Sequence, residues 1–158
     1  MTTLLWPVEG HTRITSPFGE RVHPITGERG HHNGIDIACP EGTPLRSPFP
    51  GIVRAVWIDE RFGGGLSLSV ESESGVLRLG FAHLSNTIVA RGMRVDRGEL
   101  IAYTGGTPGT RHAGSSTGPH LHMTLRRTHV YHTPTNVDPL SERWVDAAGQ
   151  PVAQEATT

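Results

Sequence analysis

Residues 66–81 read LSLSVESESGVLRLGF and contain two short stretches in which apolar side chains alternate with polar or small ones. Residues 66–70 alternate strictly, as a strand with one buried face does. Ser74-Gly75 supplies a turn, and residues 76–81 continue as the returning strand. The stretch therefore predicts an antiparallel β-hairpin and favours a fold built from sheets.

Segments outside this hairpin are also typical of strands. Residues 51–58, GIVRAVWI, are rich in the β-branched and aromatic side chains that strands favour. Residues 34–38 and 121–126 are short and alternating, and residues 94–103 are typical of a turn followed by a strand. Residues 105–118 are rich in Gly, Ser and Thr and predict a loop overhanging a groove. With no internal repeat and no amphipathic helix, we expect a mainly β, single domain of antiparallel sheets with long loops.

The composition limits the size and the partners of the protein. A chain of 158 residues fits one compact domain. With a net charge of −1 and 18% charged residues, it has no global field that would attract nucleic acid or an anionic membrane. Cys39 is the single cysteine, so we expect no internal disulfide and no cysteine-based zinc site.

The amino terminus and the hydropathy pattern bear on location. No apolar run approaches the roughly 18 residues that a membrane span needs, so no membrane insertion is expected. Residues 1–7, MTTLLWP, lack the basic start and the full apolar stretch of a secretory signal. If the target lies outside the cytoplasm, we therefore expect another route of delivery.

Two segments far apart in the sequence carry residues that bind metals. Residues i and i+2 of a strand project from the same face, and so do residues i and i+4. His120 and His122 are therefore expected on one face, and His32 and Asp36 on one face of another strand. Two imidazoles with one carboxylate suit zinc and leave a coordination position open for water, as in hydrolytic sites.

The metal site is predicted from a combination of motifs, because each motif alone is weak evidence. His83, within residues 81–85 (FAHLS), accompanies the His-x-x-x-Asp and His-x-His segments. His31 competes with His32 as the upstream ligand, but it stands five residues before Asp36, on the opposite face of a strand, so His32 is preferred. The remaining histidines considered are interpreted as ordinary surface or hydrogen-bonded residues: His11, His23, His129 and His132.

Several smaller features near these segments have two interpretations each. Gly34 would let the backbone pass close to the metal or the substrate. Ser116 and Thr117 would supply hydroxyls near the groove, although ordinary turn residues explain them at least as well. The three glycines at 63–65 would shape a groove rim for an extended peptide, and since no Lys-Ser/Thr follows them they imply no phosphate-binding loop. His112, in the long loop, either contacts substrate or is a solvated loop residue. Cys39 is interpreted as a small buried apolar residue.

These segments, together with Ser16-Pro17-Phe18-Gly19 and Gly118-Pro119-His120-Leu121-His122, resemble the lysostaphin-type (LytM-like) zinc metallopeptidases. Members of that family are β-rich endopeptidases that cut peptide cross-links of bacterial peptidoglycan. The similarity spans roughly Arg13 to Pro139. It implies the lysostaphin/LytM-type peptidase fold, with long loops flanking a substrate groove.

The resemblance also implies a role for each site residue. One zinc ion per chain would be bound by His32, Asp36 and His122, and His83 and His120 would be the catalytic histidines beside the metal-bound water. Either histidine can act as the base, since both are ordinary imidazoles in the sequence. Two departures from the family pattern affect substrate preference rather than catalysis: Phe81 replaces a frequent tyrosine, and residues 106–116 are longer than the usual connection.

The leading hypothesis is a zinc-dependent endopeptidase that hydrolyses peptide cross-links or stem peptides of bacterial peptidoglycan. The alternative is a non-catalytic relative that binds peptidoglycan or activates a partner hydrolase. Since all five site positions are filled, the enzyme is favoured. We place the zinc metallopeptidase catalytic domain at residues 1–140, with its motif core at 13–139, and expect a partly flexible tail at 141–158.

A small wall hydrolase without a recognisable signal peptide resembles the bacteriophage lysins. The expectation is an endolysin released through a holin, or a virion component with a possible virion partner, that acts on the cell wall outside the cytoplasm. A trimmed domain of a secreted bacterial enzyme is the alternative.

Overall fold

The computed structural model describes residues 3–22, 26–59, 65–127, 136–152 and 155–156. Within these residues one short 3-10 helix, Pro139–Ser141, accompanies fifteen strands. The strands are β1 (Thr3–Leu5), β2 (Arg13–Ser16), β3 (Gly19–Val22), β4 (Arg29–His32), β5 (Ile35–Ala38), β6 (Pro44–Arg46), β7 (Gly51–Asp59), β8 (Gly65–Ser72), β9 (Leu77–Thr87), β10 (Arg94–Val95), β11 (Leu100–Thr104), β12 (His120–Arg127), β13 (Asn136–Val137), β14 (Arg143–Val145) and β15 (Glu155–Ala156).

One large sheet dominates the described part of the chain. Its main path runs β10-β7-β8-β9-β12-β5-β2-β15, with β11 beside β9 and β6, and β13 beside β12. Neighbours in this sheet are antiparallel except β15 and β2, which are parallel. β3 and β4 form a separate antiparallel ribbon. The predicted mainly β class with antiparallel sheets is thus confirmed.

The large sheet has one apolar face and one open face. In β9, Leu77, Leu79 and Phe81 are buried, and in β12, Leu121, Met123 and Leu125 are buried in the same way. The alternate residues of both strands are only partly buried and face the other side. Because strand side chains alternate between faces, the core fixes which residues of these strands remain available for a site.

The predicted strands are present, and most extend beyond their predicted ends. The predicted hairpin is β8 and β9, which run from Gly65 to Thr87. Residues 94–103 contain the short β10, a turn, and β11. The idea of one strand carrying both His32 and Asp36 is wrong. His32 ends β4 and Asp36 lies in β5, in a different sheet, because the chain bends at residues 33–34.

β1 and β14, which are far apart in the sequence, form a separate two-stranded sheet. β1 pairs in parallel with β14, which aligns Leu4 with Trp144. Trp144 is 3% exposed, and its ring packs edge-on against Trp6 at 5.4 Å between ring centroids. Its Nε1 donates to the Pro139 carbonyl at 2.8 Å. Residues 143–145 are therefore part of the packed domain.

Among the residues described, we find no helix with the length and apolar character that crossing a membrane requires.

Candidate metal and catalytic site

Strand pairing brings His122 and Asp36 together. In β12, His122 is the direct cross-strand partner of Asp36 in β5, and on its other side it is aligned with Ala82 in β9. His120 lies two residues earlier on the same face of β12, so both histidines project from the open face of the sheet. The two distant sequence segments therefore converge by register, as their spacing predicts.

His32 reaches the same point from the β3–β4 ribbon. Its Nε2 lies 3.4 Å from Asp36 Oδ1, although the two residues belong to different sheets. Gly34, in the bend between them, makes this crossing possible, since a Cβ at this glycine would lie 2.2 Å from the Met123 carbonyl oxygen. The close approach that Gly34 permits is thus to the backbone of β12.

Ligand atoms of His32, Asp36 and His122 all lie within 4.8 Å of one another. Asp36 Oδ1 is 2.8 Å from His122 Nδ1, so the carboxylate sits between two imidazoles. Two nitrogen donors and one carboxylate oxygen form a donor set that zinc accepts, and three protein ligands leave a position for water. This donor set could hold a metal ion, and its chemistry fits zinc.

The outer nitrogen of each of these two imidazoles has its own partner. His32 Nδ1 donates to the Pro17 carbonyl at 2.9 Å, which leaves Nε2 as the ligand atom toward Asp36. His122 Nε2 donates to the Asn33 side-chain oxygen at 3.0 Å, which leaves Nδ1 toward Asp36. Such outer contacts fix the tautomer and orientation of metal-binding histidines.

His83 lies beside this cluster in an unusual backbone conformation. Its φ is +60°, at a point where the register between β8 and β9 shifts. The shift turns a residue of β9 that would otherwise face the core toward the groove. Its Nδ1 donates to the Ala113 carbonyl at 2.6 Å, so Nε2 carries the free lone pair. The loop at 105–119 therefore positions this side chain.

His120 completes the group. Its ring centroid lies 4.7 Å from that of His83, and its Nε2 lies 3.7 Å from Asp36 Oδ1. Its Nδ1 is 2.8 Å from the Gly118 carbonyl and 3.2 Å from Ser116 Oγ. Nδ1 thus donates to the carbonyl, and Nε2 faces the cluster with its lone pair free.

Burial and neighbouring charges shift two ionisable groups of the site. Burial by itself raises the pKa of Asp36, but hydrogen bonds with His122 and His32 outweigh it and hold that pKa well below the ordinary range. Burial lowers the pKa of His83, and the neighbouring His120 and His122 add to that effect. The lowered pKa of Asp36 favours the ionised carboxylate that metal binding requires, and the lowered pKa of His83 favours its neutral form.

The cluster opens into a groove of about 1030 Å³ on the open face of the large sheet. β7, β8, β9 and β12 supply its floor, and the loop at 105–119 supplies one wall. The lining includes Arg21, Asn33, Trp57, Arg78, Ser115, Thr117, Thr124, Arg126 and Asn136.

Other residues considered in the sequence lie outside the cluster. His31 is exposed and packs against Phe18 at the edge of the groove, away from the three ligand atoms. The carbonyl of His112 accepts from the Leu66 amide, and its side chain does not line the groove. Cys39 is buried as predicted, and burial raises the pKa of its thiol. The Phe81 ring lies in the core, 1% exposed.

Some predictions fall outside the described residues. These are the surface assignments of His23, His129 and His132, and two of the three glycines at 63–65.

Four contacts of the site could not be found from residue types alone. Three are backbone carbonyls, at Pro17, Ala113 and Gly118, which carry no side-chain signal. The fourth is the amide of Asn33, which lies in the bend after His32 and accepts from His122, 89 residues away in the sequence. The position of Asn33 within the His-x-x-x-Asp segment is the only sequence signal for its role.

Comparison with known proteins gives the class of this chain. The model of peptidase family M23 matches residues 30–139. The DD-carboxypeptidase/endopeptidase Mpg of Neisseria meningitidis is 41% identical over 116 residues, covering 73% of this chain and 25% of the relative. The peptidoglycan DD-endopeptidase ShyA of Vibrio cholerae is 35% identical over 121 residues, covering 76% and 26%. The chain thus spans about a quarter of the length of these curated relatives.

The fold agrees with the sequence match. The catalytic domain of lysostaphin from Staphylococcus simulans superposes with a TM-score of 0.67 at 29% identity, covering 81% of this chain and 89% of that one. The protein therefore belongs to peptidase family M23, as its resemblance to the lysostaphin-type enzymes implied. Peptidases of this family are zinc-dependent metallopeptidases, so zinc is the metal that the donor set calls for.

Proposed function

We propose that this chain is the catalytic domain of a zinc endopeptidase that cleaves peptide bonds of bacterial peptidoglycan outside the cytoplasm. The observation that carries the proposal is the convergence of His32, Asp36 and His122 beside two further histidines in an open groove. Family membership and the DD-endopeptidase names of two relatives supply the substrate class. A non-catalytic relative is disfavoured because every donor position is filled.

In this proposal His32, Asp36 and His122 bind the zinc, and the groove binds the peptide. Zinc, when bound, supplies a Lewis acid that acidifies a water molecule and polarises the scissile carbonyl. Pro17 and Asn33 keep the two imidazoles in the tautomers that present Nε2 of His32 and Nδ1 of His122. The ligand cage is thereby pre-organised by the fold.

His83 and His120 are the catalytic histidines of the proposal. Each has its Nδ1 bound to a backbone carbonyl, so each presents a free Nε2 toward the groove. One imidazole accepts the proton of the attacking water and returns it to the leaving amine. The other takes up a proton from solvent on Nε2 before the reaction, donates a hydrogen bond from it to the oxyanion of the tetrahedral intermediate, and keeps that proton throughout. No covalent nucleophile is needed.

The test separates metal binding from turnover. Replacing His32, Asp36 or His122 by Ala should abolish zinc retention, measured by elemental analysis after gel filtration. Replacing His83 or His120 by Ala should leave zinc bound and lower the release of new amino groups from purified wall sacs by about 100-fold or more. A chelator should stop the wild-type reaction, and added zinc should restore it.

His11→Ala is the matched control, because this histidine lies outside the cluster and should retain both properties. Full lysis by the His120→Ala protein would contradict the catalytic assignment. Binding to sacs without new amino groups in the wild type would favour the non-catalytic alternative.

A bacteriophage origin, with holin release or attachment to a virion, stays a prediction from the sequence. The described residues support only the catalytic unit. Immunodetection of the protein in purified virions, or its gene beside a holin gene, would support that origin, and its presence in a bacterial wall-synthesis operon would contradict it.

A further inference from the structure

Beyond the proposed metal ligands His32, Asp36 and His122, the side chains on the groove floor form rows of cross-strand neighbours. One row contains His122 with Asp36 as its cross-strand partner. Two residues further along β12, Thr124 lies opposite Gly80, and Gly80 lies opposite Ser69. These small side chains leave the floor low, and even a Cβ at Gly80 would lie 2.5 Å from Thr124 Oγ1. The low row leaves room for the main chain of an extended peptide.

The next row of cross-strand neighbours along the groove contains two arginines. Arg126 is the cross-strand partner of Arg78, and Arg78 is the partner of Glu71. Arg126 lies four residues beyond His122 on the same face of β12, about 13 Å along the strand. Like charges placed directly opposite each other on a sheet destabilise it unless something compensates them.

Among the described residues, only Arg78 of these two arginines has a carboxylate partner. Glu71 accepts from Arg78 at 2.7 Å and also from Arg54 at 3.0 Å, so one carboxylate is shared by two arginines. Arg126 Nε donates to the Asn136 side-chain oxygen at 2.9 Å, a neutral partner. Its two terminal nitrogens have no acceptor among the described residues, and no described residue accepts from the buried Arg78 Nε.

The contact with Asn136 gives Arg126 a defined position. Asn136 also donates from its side-chain nitrogen to the Asn33 carbonyl at 3.0 Å. Asn33 also accepts a hydrogen bond from His122. A series of hydrogen bonds through Asn136 and Asn33 therefore connects Arg126 to the proposed metal ligand His122. Arg126 and His122 lie in the same strand, so β12 and these hydrogen bonds together fix the distance between them.

We propose that Arg126, assisted by Arg78, is a specificity-determining residue that binds a free carboxylate of the wall peptide three to four residues from the cleaved bond. The inference rests on the proposed function and names its substrate: carboxylate-bearing stem peptides and the cross-links that join them directly. A bridge built of glycines carries no side-chain carboxylate for this row. A guanidinium with two free terminal nitrogens matches the two oxygens of a carboxylate.

The experiment measures binding separately from cleavage. The zinc-loaded chain is titrated by calorimetry with a stem peptide that retains its free carboxylates, and with the same peptide in which they are carboxamides. We expect the carboxylate form to bind at least about ten-fold more tightly, since a hydrogen-bonded charge pair is being removed. In Arg126→Gln this ratio should fall to about one. Arg126→Lys should keep part of it, because the charge stays and the fork is lost.

Arg91→Gln is the matched control, because Arg91 is exposed in the turn after β9 and does not line the groove. It should keep the wild-type ratio, which shows that a change of net charge alone has no effect. An unchanged ratio in Arg126→Gln, or failure of the wild type to bind either peptide, would overturn the inference. Peptide binding with the expected ratio but no cleavage of any wall substrate would instead overturn the proposed function.

Discussion

Asn33 is a single side chain on which the geometry of the metal cluster depends. Its amide oxygen accepts from His122 Nε2 at 3.0 Å. Without this acceptor, His122 can rotate or change tautomer and present the wrong nitrogen to the metal. Asn33 is not one of the three proposed metal ligands, but its hydrogen bond determines which nitrogen of His122 is available to the metal.

We therefore expect Asn33→Ala to weaken zinc binding by about 10- to 100-fold. Competition with a colorimetric chelator measures this without any assay of turnover. Asn33→Asp keeps an oxygen acceptor and should restore most of the affinity. Asn86→Ala, at an exposed position of β9, is the control. Equal affinity of Asn33→Ala and the wild type would show that His122 is held by other contacts.

At the scale of elements, the junction between β4 and β5 has no room for a side chain. A Cβ at Gly34 would lie 2.2 Å from the Met123 carbonyl oxygen, far inside contact distance. Gly34→Ala must push β12 away or displace β5. We expect it to lower the free energy of unfolding by about 1–3 kcal/mol or more, measured by urea denaturation.

Gly30, in β4, provides the comparison, since a Cβ there would meet nothing within 4 Å. Gly30→Ala should stay within about 0.5 kcal/mol of the wild type. If both variants were equally stable, the sheet would have to be much more compliant at the junction than its packing indicates.

The ion pairs across β7, β8 and β9 predict a pH dependence of stability. The hydrogen bond from Arg78, together with Arg54, lowers the pKa of Glu71 below its ordinary value of 4.5. A lowered folded-state pKa gives stabilisation that is complete above the ordinary value and is lost as the pH falls through the folded value. Both arginines are substantially exposed, so the contribution is modest.

Glu71→Gln should therefore be about 0.5–1 kcal/mol less stable than the wild type at pH 7. The difference should shrink as the pH is lowered well below 4.5, in denaturant titrations repeated across the range. Glu41→Gln, on an exposed turn, is the control and should follow the wild type throughout. A constant deficit for Glu71→Gln at every pH would indicate lost packing rather than lost charge.

In the whole molecule, an aromatic contact joins the segment after β1 to β14, two parts of the chain that are far apart in the sequence. Trp144 packs against Trp6, is 3% exposed, and donates to the Pro139 carbonyl. Trp144→Ala removes a large buried ring together with a hydrogen bond. We expect a loss of about 3–5 kcal/mol in the free energy of unfolding.

Trp57→Ala serves as the stability control, because this tryptophan is 41% exposed in the groove. Its effect on unfolding should remain within about 0.5 kcal/mol. Near-normal stability of Trp144→Ala would mean that β1 and β14 are not part of the cooperative unit.

The sequence predicted those parts of the fold that depend on local alternation. The strands at 51–58, 66–70, 76–81 and 121–126 all alternate or are rich in β-branched residues, and each is present. The short strands near the ends and in the ribbon were missed, because two to four residues carry too little periodicity to predict a strand. The parallel pairing of β1 with β14 has no local signal.

The sequence predicted the side chains of the candidate site, but not the hydrogen-bond partners that orient them. The spacing of His120 and His122 needed only the two-residue period of a strand. His32 and Asp36 do converge, but across a bend at Gly34 and not along one strand, so the geometric argument for them was incorrect. The orienting carbonyl at Ala113 became visible only when the loop was placed over β9.

The bond between His83 and the Ala113 carbonyl has a consequence for variation in the loop at 105–119. Because the acceptor is main chain, the hydrogen bond itself does not depend on the side chain at position 113, although the burial of Ala113, 3% exposed, admits only a small residue there. An added or deleted residue, in contrast, would move the carbonyl away from the imidazole. Natural variants of this domain should accordingly tolerate other small residues at 113 far better than insertions beside it.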